Sequence, residues 1–115
     1  MNIKRHQAGP RMSQAVEYGN TVYLAGQVAA DAKAGVAGQT EQILQQIDKL
    51  LAAAASDKSK LLSATIYLAD IATFAEMNSV WDRWVDKQNP PARATVEATL
   101  AAPQYKVEIM VVAAK

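Results

Sequence analysis

The sequence predicts one α+β domain, a two-layer sandwich in which two helices cover one face of a mostly antiparallel sheet. Two stretches with helical periodicity, near residues 43–54 and 74–85, stand between stretches typical of β-strands. A Gly-Asn pair marks a tight turn near the start, and two strand-like stretches close the chain. Because 115 residues suffice for one domain only, residues 1–115 are assigned to it, in the order β-β-α-β-α-β-β.

The first two strands form a predicted hairpin. Residues 22–25 (VYLA) follow the turn residues Gly19 and Asn20, and residues 16–18 (VEY) precede them. Because Asn and Gly tolerate the positive φ angles of tight hairpin turns, we expect the two stretches to pair. Residues 29–38 are rich in Ala, Gly and Asp and are predicted to form a loop.

Both helices are predicted from apolar stripes at helical spacing. The stripe of the first helix consists of Ile43, Leu44, Ile47, Leu50, Leu51 and Ala54. The stripe of the second helix consists of Phe74, Met77, Trp81, Trp84 and Val85. Thr73 and Glu76 have the spacing of a capping box at its start, and Pro90 and Pro91 prevent its continuation. The tryptophan pair is interpreted as core and not as a platform for a ligand.

Three further strands are predicted. Residues 61–69 (LLSATIYLA) contain β-branched and aromatic residues, and their inward face is expected to be Leu62, Ala64, Ile66 and Leu68. Residues 93–100 place Arg93, Thr95, Glu97 and Thr99 on one face, and the helices are expected to cover the other face, Ala94, Val96, Ala98 and Leu100. Residues 105–114 form a last strand that is apolar on nearly both faces.

The last two strands are expected to pair as a hairpin across residues 101–104. In that register Glu97 faces Glu108, and Met110 lies beside Thr95. Two facing carboxylates repel each other unless a cation, a proton or a partner chain intervenes. We therefore expect this mixed face at a subunit interface, the alternative being an ordinary solvated face.

Composition excludes several classes of function. The net charge is +1 and no basic stripe stands out, so neither nucleic acid nor an anionic membrane is an expected partner. The absence of cysteine excludes disulfides, thiolate catalysis and Cys-based metal sites. The single histidine, His6, lies near an N-terminus expected to be mobile, so no metal site is predicted. We expect a cytoplasmic protein, because the chain lacks a signal-peptide pattern and a membrane-spanning apolar run.

Arg93 is the first candidate for a binding residue. It follows a stiff Pro-Pro pair, which limits where its side chain points. A guanidinium grips a carboxylate through two parallel hydrogen bonds. From its position alone, an ordinary surface arginine remains the alternative.

Five segments of the chain match landmarks of a known family: residues 19–27 (GNTVYLAGQ), 38–40 (GQT), 77–78 (MN), 91–97 (PARATVE) and 107–109 (VEI). Together they resemble the Rid (reactive intermediate deaminase, YjgF-like) family. The resemblance covers essentially the whole chain, and the PAR segment with the trailing VEI is its most specific part. It implies a chorismate-mutase-like fold and a homotrimer with clefts between subunits.

The resemblance also implies an activity, the hydrolysis of reactive 2-imino or 2-enamino acids to 2-keto acids and ammonia without metal or organic cofactor. In such enzymes the arginine similar to Arg93 holds the substrate carboxylate, and the acid similar to Glu108 positions a water. Backbone groups around Gly26 contact the ligand, and Asn78 matches a residue near the site.

Three cleft positions depart from the family's best-studied branch. Met12, Ala25 and Thr95 stand where that branch has tyrosine, serine and cysteine. These are expected substrate-binding positions, so the departures bear on substrate range and rate. They also leave open a non-catalytic trimeric protein that binds a small keto acid. A ribonuclease or translation inhibitor, a role attached to relatives, is disfavoured by the balanced charge and the lack of catalytic histidines.

Overall fold

The computed structural model describes residues 1–115 and confirms the α+β class. Its two α-helices are α1 (Val36–Ala53) and α2 (Phe74–Trp84). Its six strands are β1 (Ile3–His6), β2 (Ala15–Tyr18), β3 (Thr21–Leu24), β4 (Leu61–Leu68), β5 (Ala92–Glu97) and β6 (Val107–Ala114). Neither helix combines the length and the apolarity that crossing a membrane requires.

All six strands form one sheet in the order β1-β2-β3-β6-β4-β5. Every neighbouring pair is antiparallel except β4 and β5, which are parallel and are connected through α2. The predicted hairpin of β2 and β3 is confirmed, with Tyr18 opposite Thr21 and Gly19 at φ +61° in the turn. The sheet is therefore mostly antiparallel, as predicted.

The predicted pairing of the last two strands is wrong. β6 lies between β3 and β4, and β5 lies at the edge beside β4. Glu108 is opposite Tyr67 and Glu97 is opposite Leu68, so β4 separates the two carboxylates that we expected to face each other. Residues 101–104 therefore do not form a tight hairpin turn. After β5 the chain crosses over β4, and β6 then pairs with β4 on its other side.

The predicted orientation of β5 is also wrong. Arg93 pairs with Ala64 and Thr95 with Ile66, and both partners are buried residues of the helix-covered face. Val96 is on the opposite face and is 44% exposed. Sequence alternation defines two faces of a strand without saying which one the helices cover. At this edge the helix layer ends in aromatic side chains of α2, which accommodate an arginine.

The core lies between the two helices and one face of the sheet. The whole predicted stripe of the first helix is buried, together with Met77, Val80 and Trp81 of α2. On β4 the buried face begins at Leu61 and continues through Ala64, while Leu62 is 52% exposed. The prediction for Leu62 is wrong because the register with β6 shifts between Leu61 and Ser63.

The start of α2 does not contain the predicted capping box. The Thr73 hydroxyl donates to the Asp70 carbonyl at 2.6 Å, and Glu76 accepts from the Ala37 amide at 3.2 Å. Asp70 instead caps a short 3₁₀ turn, because its carboxylate accepts from the Ala72 amide. Glu76 thus connects α2 to the first turn of α1.

The N-terminal segment is ordered, contrary to the expectation of mobility. β1 pairs with β2, and His6 Nε2 lies 2.5 Å from Glu17 Oε2. Lys115 Nζ lies 2.7 Å from the other oxygen of Glu17, whose side chain is largely buried. The hydrogen bonds from Lys115 and His6 lower the pKa of Glu17 from 4.5 to about 2. This group of three residues joins the edge strand to the end of the chain.

The C-terminus of α1 is a Schellman motif without its usual glycine. The Ser56 amide donates to the Leu51 carbonyl at 2.8 Å, and the Ala55 amide donates to the Ala52 carbonyl at 3.1 Å. Ala55 has φ +58°, in the left-handed region that disfavours a residue with a Cβ.

We predict that Ala55→Gly stabilises the protein by about 0.5–1 kcal/mol, because relief of the left-handed strain exceeds the added chain entropy of glycine. Urea denaturation measures the change. The matched control is Ala53→Gly, at the exposed last residue of the same helix, where φ is negative, and this change should destabilise by up to about 1 kcal/mol. Equal destabilisation by both variants would contradict the prediction.

We also predict a pH-dependent contribution from Glu17. Because its pKa is lowered in the folded state, the charged carboxylate stabilises the fold above pH 4.5, and this stabilisation is lost as the pH falls towards 2. The difference in unfolding free energy between the wild type and Glu17→Gln should therefore shrink over that range. Glu41→Gln is the control, because Glu41 pairs with Arg83 on the exposed surface. A difference that stays constant from pH 6 to pH 2.5 would disprove the linkage.

Candidate active site

Arg93 lies at the start of edge strand β5 and points towards α2. Its Cζ atom is 5.3 Å from the ring centroid of Trp81 and 5.8 Å from that of Phe74. Its Nη1 donates to Asn78 Oδ1 at 2.7 Å. Phe74, Asn78 and Trp81 are spaced by four and three residues, so one face of α2 presents all three to the guanidinium. These contacts orient the cation without neutralising it.

Two further observations concern the surroundings of Arg93. Thr95 lies two residues further along the same face of β5, and its hydroxyl oxygen is buried without a hydrogen-bond partner. Arg93 is half-buried and forms no salt bridge, whereas the salt bridges of the chain involve Glu17 and Glu41. A half-buried cation without an acidic partner can accept a carboxylate ligand.

Glu108 lies on β6 and points away from the helices. Its carboxylate covers Gly26: a Cβ atom at Gly26 would overlap the carboxylate and lie 3.0 Å from its carboxyl carbon. The segment is held in place because Gln27 and Ile109 exchange backbone hydrogen bonds of 2.8 and 3.1 Å. A side chain at residue 26 would therefore force the end of the Glu108 side chain to move away from this segment. The close approach places an acid beside the backbone of residues 25–27.

A network of glutamine side chains supports this segment from the helix side. Gln27 Nε2 donates to Gln14 Oε1 at 2.9 Å and to the Ala25 carbonyl at 3.1 Å. Gln46 Nε2 donates to Gln27 Oε1 at 3.2 Å and to the Val28 carbonyl at 3.0 Å. A cleft of about 410 Å³ opens beside these amides, and Gly26 is part of its wall.

Ala25 and Met12 belong to the surroundings of this segment. The Ala25 amide donates to the Gln14 carbonyl at 2.9 Å, so Ala25 is tied to the loop between β1 and β2. Met12 lies in the same loop and is 48% exposed. The methionine is thus available to a ligand or to another chain.

The predicted site residues form two groups in one protomer. Along the sheet, Glu108 is opposite Tyr67, whose partner on β5 is Val96, three residues beyond Arg93. Two strand spacings of about 4.8 Å and three residues of about 3.3 Å put the two Cα atoms roughly 14 Å apart. The two side chains also point to opposite faces, because Arg93 pairs with Ala64. One small substrate cannot touch both within a protomer.

Sequence reasoning missed part of this arrangement. Phe74 and Trp81 were assigned to the core stripe, and their contact with Arg93 was not foreseen. The spacing of Phe74, Asn78 and Trp81 places them on one face of α2. This spacing would have predicted their contact with Arg93 if β5 had been expected beside α2. The glutamine network was missed as well, because its members are far apart in sequence. No cluster of three or more metal-ligating side chains is present.

Comparisons with known proteins identify relatives of the whole chain. A family model described as endoribonuclease L-PSP matches residues 3–115. The RutC family protein YoaB of Escherichia coli is 46% identical over 114 residues, which cover 99% of each chain.

Solved structures show the same fold. The YjgF family member NMB1025 of Neisseria meningitidis matches with a TM-score of 0.97 and 45% identity, covering 100% of this chain and 96% of that chain. YyfA of Yersinia pestis, described as a protein of unknown function of the conserved Rid protein family, matches with a TM-score of 0.86 and 28% identity, covering 94% and 90%. The family model, the relatives and the shared fold together show that the chain belongs to the YjgF/Rid family.

Proposed function

We propose that the protein is a hydrolytic deaminase of 2-imino and 2-enamino acids, which it converts to 2-keto acids and ammonia. The observation that carries the proposal is the Arg93 guanidinium, which is half-buried, oriented by Asn78 and aromatic rings, and free of any acidic partner. Membership of the YjgF/Rid family supports a general family role, and the resemblance to the reactive intermediate deaminases implies this particular activity.

Arg93 binds the carboxylate of the substrate. One Nη1–H bond is used by Asn78, and the remaining N–H groups of the fork are available for two parallel hydrogen bonds. Such a charge-assisted pair contributes about 1.5–3 kcal/mol. Holding the carboxylate also fixes the adjacent C=N carbon, which is the atom that water attacks.

Glu108 acts on the attacking water. In the reaction, water adds to the C=N carbon, the nitrogen gains protons, and the C–N bond then breaks to release ammonia and leave a carbonyl. A carboxylate that accepts a proton from water and returns one to nitrogen assists both steps. The position of Glu108 beside the Gly26 backbone supports this role, because the carboxylate and the peptide groups of that segment lie together. The proposal requires neither metal nor covalent nucleophile.

The two groups of site residues come together between protomers of a homotrimer under this proposal. The uncovered sheet face carries exposed apolar side chains, among them Tyr23, Val96 and Met110. An exposed apolar face of this kind is typical of a protein–protein contact. A cyclic arrangement lets β5 with Arg93 of one copy meet Glu108 of the next, and cyclic repetition gives three equal sites.

Two other functions have less support. A keto-acid-binding protein without turnover retains Arg93 and is favoured by Met12, Ala25 and Thr95, which replace three polar or reactive side chains of the best-studied branch. RNA cleavage, which the description of the family model names, has little support in this chain: the net charge is only +1, and the single histidine is bonded to Glu17. The imine hydrolase is the proposal we pursue.

We predict that Arg93→Ala lowers kcat/KM for imine hydrolysis by about 100-fold, because the carboxylate loses its charge-assisted pair. Arg93→Lys should recover little of the loss, since an ammonium group lacks the two-pronged geometry. The assay generates imines from a panel of amino acids with an amino-acid oxidase and follows their disappearance. Arg83→Ala, which removes an exposed arginine of α2, is the matched control and should retain wild-type rates. Full activity of a correctly assembled Arg93→Ala variant would defeat the assignment.

Glu108→Gln should reduce turnover much more than keto-acid affinity, which separates enzyme from binder. Calorimetric titration with a keto acid gives the affinity, and the imine assay gives the turnover. A wild-type protein that binds keto acids and never accelerates imine loss across the panel would support the binding function instead.

A mixing experiment tests the inter-subunit site. Trimers formed from equal amounts of Arg93→Ala and Glu108→Gln chains should recover about a quarter of wild-type activity. In random assembly, about a quarter of the interfaces combine an intact Arg93 from one chain with an intact Glu108 from the next. Refolding the mixed chains and comparing them with each variant alone gives the measurement, and light scattering gives the oligomeric state. A monomer, or a trimer without recovery, would contradict the shared site.

A further inference from the structure

The two aromatic rings that contact Arg93 differ in their access to solvent. Trp81 is 5% exposed and packs against Trp84 at a centroid distance of 5.4 Å, so it forms the inner wall behind the guanidinium. Phe74 is 42% exposed and lies at the first position of α2. Of the two rings beside Arg93, Phe74 is therefore the one that a ligand arriving from solvent can contact.

The geometry of carboxylate binding brings the rest of a ligand towards this ring. A carboxylate gripped by both prongs lies in the plane of the guanidinium, and its substituent extends outward from the fork. The Arg93 Cζ atom lies over the Phe74 ring, 5.8 Å from the ring centroid. Because the Phe74 side chain is 42% exposed, part of its ring is not covered by the cation and faces solvent. The first carbons of a ligand side chain then meet an aromatic surface.

Three carboxylates surround the beginning of α2, and all of them accept backbone hydrogen bonds. Asp70 accepts from Ala72, Glu76 from Ala37, and Glu97 from the amide of Ile71. Their charges disfavour a second carboxylate on the ligand. The local chemistry is thus apolar at the ring and negative around it.

From these observations we infer that Phe74 is a specificity-determining residue, which contacts the side chain of the 2-imino acid and selects apolar side chains of several carbons over small or acidic ones. The inference rests on the proposed function, and it names the substrate class of the same site. Trp81 and Asn78 are positioning residues for Arg93, whereas Phe74 touches the substrate itself.

The ratio of kcat/KM for leucine-derived and alanine-derived imines tests this role. Phe74→Ala should lower that ratio about tenfold, because a lost apolar contact affects only the larger side chain. Weaker orientation of Arg93 affects both substrates equally and cancels in the ratio. Phe74→Leu should restore most of the ratio, since it keeps an apolar surface. The wild type should also hydrolyse the leucine-derived imine faster than the glutamate-derived one.

Ile71→Ala is the matched control, because Ile71 is a comparably exposed apolar residue (45%) three residues upstream of Phe74. It should leave the ratio unchanged. An equal decrease for all imines in Phe74→Ala, or no decrease, would overturn the inference while the proposed function stands. If the wild type hydrolyses no imine, the proposed function fails. Calorimetric titration with keto acids then tests the role of Phe74 independently of turnover. The affinity ratio of 4-methyl-2-oxopentanoate to pyruvate must then fall about tenfold in Phe74→Ala, and an unchanged ratio would overturn the inference.

Discussion

β6 runs antiparallel between β3 and β4, and the other elements are arranged around it. Its residues Val107, Ile109, Val111 and Ala113 are at most 1% exposed. They join the part of the sheet that precedes α1 to the part that follows it, so both helices pack on one continuous surface. Because successive strand residues point to opposite faces, the same strand presents Glu108, Met110 and Val112 on the uncovered side. One strand therefore carries both the core and the proposed catalytic acid.

The position of β6 also determines what one protomer lacks. With β6 inside the sheet, β5 becomes an edge strand, and Arg93 remains accessible at the margin of the helix layer. Glu108 lies two strands away on the opposite face. Because Arg93 and Glu108 are apart within one protomer, the proposed function gives the uncovered apolar face a role. Contact between copies through this face would shield it from water and bring Arg93 of one copy to Glu108 of another.

The contrast between Glu17 and Arg93 illustrates how burial separates structural charges from available ones. Glu17 is enclosed by His6 and Lys115, and its pKa is lowered to about 2, so its charge is satisfied within the chain. Arg93 is held by an amide oxygen and aromatic rings, which orient a cation and leave its charge uncompensated. The first arrangement fastens the end of the chain to the sheet. The second leaves a cation without an acidic partner in the chain, and the proposed function uses it to bind a carboxylate.

The sequence by itself determined the local structure and the residue types of the site. Helical periodicity marked α1 and α2, Gly19 and Asn20 marked the hairpin, and the PARATVE and VEI segments identified the family. Only the tertiary structure decided that β6 separates β4 from β3, that Arg93 faces α2, and that Arg93 and Glu108 lie apart. The reason is physical: periodicity is a property of neighbouring residues, whereas strand pairing depends on contacts between residues far apart in the chain. Alternation shows that a strand has two faces, and only packing against α2 selects the one that is covered.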